Sequence, residues 1–153
     1  MPGKVIRFFQ HVRAGLRGLA APVSLGARAI VLDNAGRVLL VRHTYVGGWH
    51  LPGGGVDRGE TSSDALMREL KEEICLVKSS PPELFGIYLR RAGRWSDHIA
   101  LYVVRKVELD FKPNHEITEI RFADFQSLPE GTSAGTARRL AEFSGRAARA
   151  SLW

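Results

Sequence analysis

Internal disulfides are excluded at the outset, because the 153-residue chain has a single cysteine, Cys75. The fold must rest on packing, and the composition suits a reducing, cytoplasmic setting. Long apolar runs are also missing. None approaches the ~18 residues that a membrane-spanning helix needs. The first 21 residues lack acids altogether. They carry Lys4, Arg7, Arg13 and Arg17, which interrupt the apolar positions and argue against a secretory leader. Residues 131–153 are almost as poor in acid, with Glu142 against four arginines. Of the formal charge of +6, the two ends account for +4 and +3, leaving −1 for the middle. A uniformly basic nucleic-acid binder would not be divided in this way, so no DNA or RNA partner is expected. Internal repeats and low-complexity tracts are absent too.

What remains is a chain with 44% hydrophobic and 25% charged residues, long enough for one real core. Residues 4–19 set Val5, Phe8, Phe9, Val12, Leu16 and Leu19 at helical spacing, and Ala21-Pro22 stops the pattern. The expected layout is an amphipathic helix over 1–21 followed by a single domain over 22–153. The apolar stripe of that helix needs a partner: the domain itself, or a second subunit of a homodimer. A membrane surface is the alternative for its basic side. Strands are expected at 25–32 and 37–43, joined as a hairpin through Asp33-Asn34-Ala35-Gly36. Residues 44–60 read as a glycine-rich loop. Residues 62–74 read as a helix capped by Thr61, with Asp64 completing a capping box. Further strands are expected at 84–91 and 98–106, with Gly93 and Asp97 in the turn between them. Lys112-Pro113-Asn114 is a break, 117–123 a short strand, and 133–149 a final helix. Hairpins mixed with helices argue for an α/β fold with a mixed, helix-covered sheet.

The chemistry lies between Gly53 and Leu76. On the expected helix, Glu69, Glu72 and Glu73 fall on one face at i, i+3 and i+4, beside a stripe of Leu66, Leu70 and Ile74. Like charges at that spacing destabilise an isolated helix by roughly 0.2–0.5 kcal/mol. Such local conflicts tend to mark functional sites. A hard divalent cation would resolve this one, since Mg²⁺ prefers oxygen ligands. The alternative is a solvated helix face moderated by Lys71. Three successive glycines, 53 to 55, precede the helix and permit a close backbone approach. Glu60 and Arg68 are spaced to pair and tie this stretch to the helix.

These residues resemble the Nudix box of the MutT-like hydrolases. That signature is Gly, five residues, Glu, seven residues, Arg-Glu, an aliphatic residue, any residue, Glu-Glu, any residue, Gly and an aliphatic residue. Here it begins at Gly54 and runs through Glu60, Arg68-Glu69, Leu70 and Glu72-Glu73 to Leu76, matching eight of nine specified positions. The flanking pattern extends the likeness over roughly residues 22–145. The departure is Cys75, where the family usually has a glycine that ends the helix in a left-handed turn. A side chain there costs on the order of 1–2 kcal/mol, unless the turn shifts toward Leu76-Val77.

The resemblance implies an α/β/α sandwich and a hydrolase that cleaves a phosphoanhydride bond with Mg²⁺ or Mn²⁺. The substrate would be a small nucleotide, a nucleoside diphosphate derivative or a nucleoside triphosphate. Carried over by position, Glu69, Glu72 and Glu73 bind the metal, with the Gly54 carbonyl as a further ligand. Glu60 and Arg68 hold the loop. The general base in the family is either the counterpart of Glu69 or a glutamate on a later loop. Glu116 and Glu119, with His115 beside them, lie in that later region, and Glu116 is preferred because it precedes the strand. Arg42 and Trp49 are candidates to contact phosphate and base; their plainer readings are a surface arginine and a tryptophan closing the core. His50 and His98 stand alone without ligand spacing, which argues against zinc.

Overall fold

The computed structural model describes residues 23–92 and 95–153. The expected N-terminal helix and Gly93 lie outside the described residues. The elements are β1 (Val23–Val31), β2 (Val38–His43), β3 (Gly53–Gly55), α1 (Ser62–Ile74), β4 (Leu76–Lys78), β5 (Glu83–Ala92), β6 (Trp95–Val104), β7 (Glu108–Leu109), β8 (Ile117–Ala123) and α2 (Ala134–Phe143). One four-stranded sheet has the order β3-β1-β6-β5, while β2 pairs with β8 and β4 with β7. The β1–β6 pair is parallel and its neighbours are antiparallel, so the sheet is mixed as expected.

Two apolar clusters flank the sheet. Ala27, Ala29 and Val31 of β1 meet Leu66, Leu70 and Ile74 of α1, together with Ala100, Tyr102 and Val104 of β6. On the other side Ile30, Leu101 and Val103 pack with Trp49, Leu51, Tyr88 and Leu140 of α2. Alternation along the strands sends successive residues to opposite clusters, which is why β1 and β6 are buried on both faces. Each fully buried leucine or isoleucine contributes about 1.5–3 kcal/mol relative to exposure.

Several expectations are corrected. The strands flanking Asp33–Gly36 are not a hairpin. They touch at a single bridge, Leu32 to Val38, and then enter different sheets. The turn exists, with Gly36 at φ +77° and Asp33 accepting from the Ala35 and Arg37 amides. Both strands are buried on the same two sides, with Val31 and Leu39 in one core cluster and Ile30 and Leu40 in the other, so the difference lies in their pairing: β1 with β3 and β6, β2 with β8. Within the glycine-rich stretch, residues 53–55 form a strand against β1. Asp97 is inside β6, not in the turn, and takes an ion pair from Arg90 at 2.6 Å. The final helix stops at Phe143, well short of 149. Gly145, at φ +73°, reverses the chain there.

After that reversal the tail returns to the sheet. Leu89 bridges Leu152 in parallel, donating to the Ser151 carbonyl and accepting from the Trp153 amide. Beneath it lies a buried charged group. Arg139, 1% exposed, donates to Glu142 Oε1 at 2.6 Å and stacks on the Tyr88 ring at 4.3 Å. Tyr88 donates to the other Glu142 oxygen at 2.9 Å.

Candidate active site

α1 begins where the sequence places it. Thr61 is extended at the N-cap and its hydroxyl accepts from the Asp64 amide at 3.0 Å. At the other end Cys75 itself takes the left-handed conformation, φ 54° and ψ 47°, so the turn has not shifted. The helix thus keeps the geometry of a glycine-terminated one, with a side chain in a position that disfavours it.

Glu73 lies in the last turn, two residues before Cys75, and is 1% exposed. The Gly53 amide donates to its Oε2 at 2.7 Å. Burial pushes the Glu73 carboxyl up to about 8; Arg28 and the Gly53 amide oppose the shift, and Glu69 and Glu116 reinforce it. Glu69 lies against Gly54, where a Cβ would collide with its carboxylate. At Gly53, φ is +129° and a Cβ would strike the Ala27 carbonyl. Glycine at these two positions lets β3 lie between β1 and the carboxylates.

One oxygen each from Glu69, Glu73 and Glu116 lies within 4.8 Å of the others. Glu116 arrives from the loop before β8, and Asn114 fixes that loop. Its Oδ1 accepts from the amides of Glu116 and Ile117 at 3.0 and 2.9 Å. Its Nδ2 donates to the Glu73 carbonyl at 3.0 Å. One side chain therefore joins the end of α1 to the loop carrying Glu116. From the other side, the Thr44 amide donates to the Glu116 carbonyl at 2.8 Å.

Arg68 organises the outer wall. Its Nε and Nη2 donate to the two Glu60 oxygens at 2.9 and 3.0 Å, and Nη2 also reaches the Gly55 carbonyl at 3.1 Å. Nη1 donates to Glu69 Oε1 at 2.7 Å. These bonds, with Glu60 foremost, hold the guanidinium pKa well above its ordinary value. Glu72 is outside the three-carboxylate group. Its side chain is 56% exposed and lies 3.8 Å from Arg68 Nη1.

Arg42 and Trp49 are together, and neither belongs to the group of Glu69, Glu73 and Glu116. Arg42 pairs with Glu119 at 3.0 Å and its guanidinium lies 4.4 Å from the Trp49 ring centre. Arg121 covers the same ring at 4.9 Å, and Trp49 is 1% exposed.

Three residues of the site were missed from sequence. His43 ends β2 with its side chain buried, and Nδ1 is 4.0 Å from Glu73 Oε1 with no hydrogen-bond partner. Burial, with the charges of His50 and Arg28, pulls its pKa down to about 4. Tyr45 stacks beside it at 5.0 Å; partial burial, together with Glu73 and Glu116, pushes the phenol up to about 12. Arg28 lies near enough to act on Glu73, His43 and Tyr45. A signal existed for one of them: an arginine inside an apolar strand needs a partner.

The class is therefore an α/β/α protein whose capped helix presents Glu69 and the buried Glu73 to a glycine strand. The family follows from comparison: the NUDIX domain model matches residues 23–143, and the chain belongs to the Nudix family. A Methanosarcina mazei Go1 MutT protein superimposes with a TM-score of 0.71 at 20% identity, covering 84% of this chain and 97% of that one. A MutT Nudix hydrolase from Burkholderia pseudomallei gives 0.67 at 23% identity, with coverages of 77% and 95%. Among curated sequences, a Bacillus subtilis protein provisionally named an 8-oxo-dGTP diphosphatase is 48% identical over 74 residues, 48% of this chain and 49% of its own. An ADP-ribose pyrophosphatase of Methanocaldococcus jannaschii is 27% identical over 105 residues, 65% of this chain and 62% of its own. The chain thus spans about half to three-fifths of the length of these two relatives.

Proposed function

We propose that the protein is a pyrophosphohydrolase that cleaves a diphosphate linkage in a nucleotide derivative with Mg²⁺ or Mn²⁺. The observation that carries this reading is the convergence of Glu69, Glu73 and Glu116 within 4.8 Å. Three carboxylates at that spacing repel one another unless they are protonated or share a cation. The surroundings fit a cation. His43 presents an unpartnered buried nitrogen to Glu73 and stays neutral near pH 7, so it adds no competing positive charge. The Gly54 backbone lies against Glu69 with no side chain between, leaving its carbonyl as a candidate ligand. Glu69 and Glu73 would hold the metal, with Glu72 joining from the solvent side. When bound, the cation would neutralise diphosphate oxygens and make the attacking water more acidic. Glu116 would accept the proton from that water. Arg68 would keep Glu69 oriented, and Arg28 would face the phosphates.

The relatives' names support a nucleotide derivative without choosing one, so the test is a panel. The panel comprises 8-oxo-dGTP, ADP-ribose, a nucleoside triphosphate and a 5′-triphosphorylated RNA, incubated with and without Mg²⁺ and read by product chromatography. Wild type should release phosphate or diphosphate products from at least one compound only with metal. Glu73→Gln and Glu69→Gln should lose more than the ~10–100-fold typical of outer-shell partners. Wild-type turnover in the Glu69→Gln, Glu73→Gln double variant would reject the mechanism.

A further inference from the structure

We propose that residues 1–22 of the same chain dock on an apolar strip of the four-stranded sheet, beside α1. The strip follows from strand register. Val23, Leu25, Ala27 and Ala29 of β1 lie beside Ser96, His98, Ala100 and Tyr102 of β6. On β5, Leu84, Ile87 and Leu89 stand opposite Tyr102, Ala100 and His98. Directly opposed residues share a face, so all of these belong to the face that α1 covers. α1 packs chiefly on β1 and β3, however, and leaves the β5 side bare. The consequence is exposed: Val23 by 54%, Leu25 by 38%, Leu84 by 56% and Ile87 by 58%. Exposed apolar residues grouped on one sheet face, with Ser96 and His98 among them, mark a contact.

The dimensions suit one helix. Three strands spaced by ~4.8 Å make the strip about 10 Å wide, and Leu84 to Leu89 runs about 17 Å along β5. A helix over residues 4–19 would be about 24 Å long and 10 Å across. The chain outside the described residues supplies it, because that segment ends at residue 22 and leads directly into Val23, the first residue of the strip itself. Its apolar stripe of Val5, Phe8, Phe9, Val12 and Leu16 provides the matching face, and its four basic residues remain on the other. Docked, the segment fills the space that α1 leaves over β5.

Limited trypsin digestion of the full chain tests this, since Lys4, Arg7, Arg13 and Arg17 are built-in cleavage sites. In the wild type, cutting after Arg13 and Arg17 should be slow at every protein concentration. Ile87→Asp should speed it about tenfold or more, because the site is cut only when the helix is released. Phe9→Asp should act equally, and the double variant should be no faster than either, as for partners in one contact. Phe9→Asp lies outside the sheet, so it keeps the test informative should Ile87→Asp fail to fold. Wild-type digestion as fast as the double variant would overturn the proposal. Protection that grows with protein concentration would overturn it in favour of a second copy's segment. Protection appearing only with phosphatidylserine vesicles would overturn it in favour of a membrane surface.

Discussion

Glu73 carries the site's largest electrostatic cost. Its pKa, raised to about 8 by burial, means the folded apo protein prefers this group protonated. A raised acid contributes stability that is present below its unfolded value near 4.5 and is lost as pH rises through 8. Apo stability, measured by urea unfolding, should therefore fall across that window by a few kcal/mol. Glu73→Gln should flatten the decline, and so should saturating Mg²⁺ if the proposed site is right. His43 acts in the other direction, since its neutral form is favoured and its share of stability is lost as pH falls from 6.5 toward 4. Cys75 is a smaller matter of backbone strain. Cys75→Gly should raise stability by about 1 kcal/mol, because the left-handed conformation at φ 54° suits glycine. A destabilised variant would mean that packing of the thiol outweighs the strain. Cys75 was legible because a motif marked its place. His43 was not, because no local pattern says which neighbouring element a strand's last side chain will face.

At the scale of the element, Asn114 is the instructive residue. Its sequence, Pro113-Asn114, reads as a break, and it is one. What the sequence does not reveal is that the break is bonded to the end of a helix 40 residues earlier. The Glu73 carbonyl belongs to the last turn of α1, where carbonyls lack partners within the helix. Asn114→Ala should leave it to water and release the Glu116 loop. The expected result is a kcat drop of about tenfold with KM little changed, and a melting temperature lowered by a few degrees. Asn114→Asp keeps the acceptor for Glu116 and loses the donor, so it should retain more activity than alanine. Equal losses in both variants would assign the residue a purely structural part. The glycine stretch shows the same limit from the opposite side. Three glycines announce a close approach, but the partner strand and the carboxylate behind it are non-local facts. The hairpin expected after β1 failed for that reason. Turn chemistry is local, whereas the strand partners, β3 and β6 for β1 and β8 for β2, lie outside that local stretch.

The whole molecule was readable as to class, because mixed hairpins and helices permit few layered folds, and the box supplied the rest. The buried Arg139–Glu142 pair was not readable, since RRLAEF looks like an ordinary helix face. Removing one partner strands the other charge, so Glu142→Leu should cost about 3–5 kcal/mol in urea unfolding. Arg139→Met with Glu142→Leu should recover much of it; an additive double loss would show that the two side chains contribute independently rather than as a pair. The parallel β1–β6 contact has its own consequence, in time. β1 lies between β3 and β6, yet its parallel partner is about 70 residues further along the chain. Adjacent β5 and β6 close through a short turn, while β1 must wait for a long loop to close. Val31→Ala in β1 should therefore hasten unfolding and leave the refolding rate nearly unchanged in stopped-flow chevrons, whereas Leu101→Ala in β6 should slow refolding. Equal slowing by both would refute this order. The first of the described strands to leave the ribosome would then be among the last to take its place in the sheet.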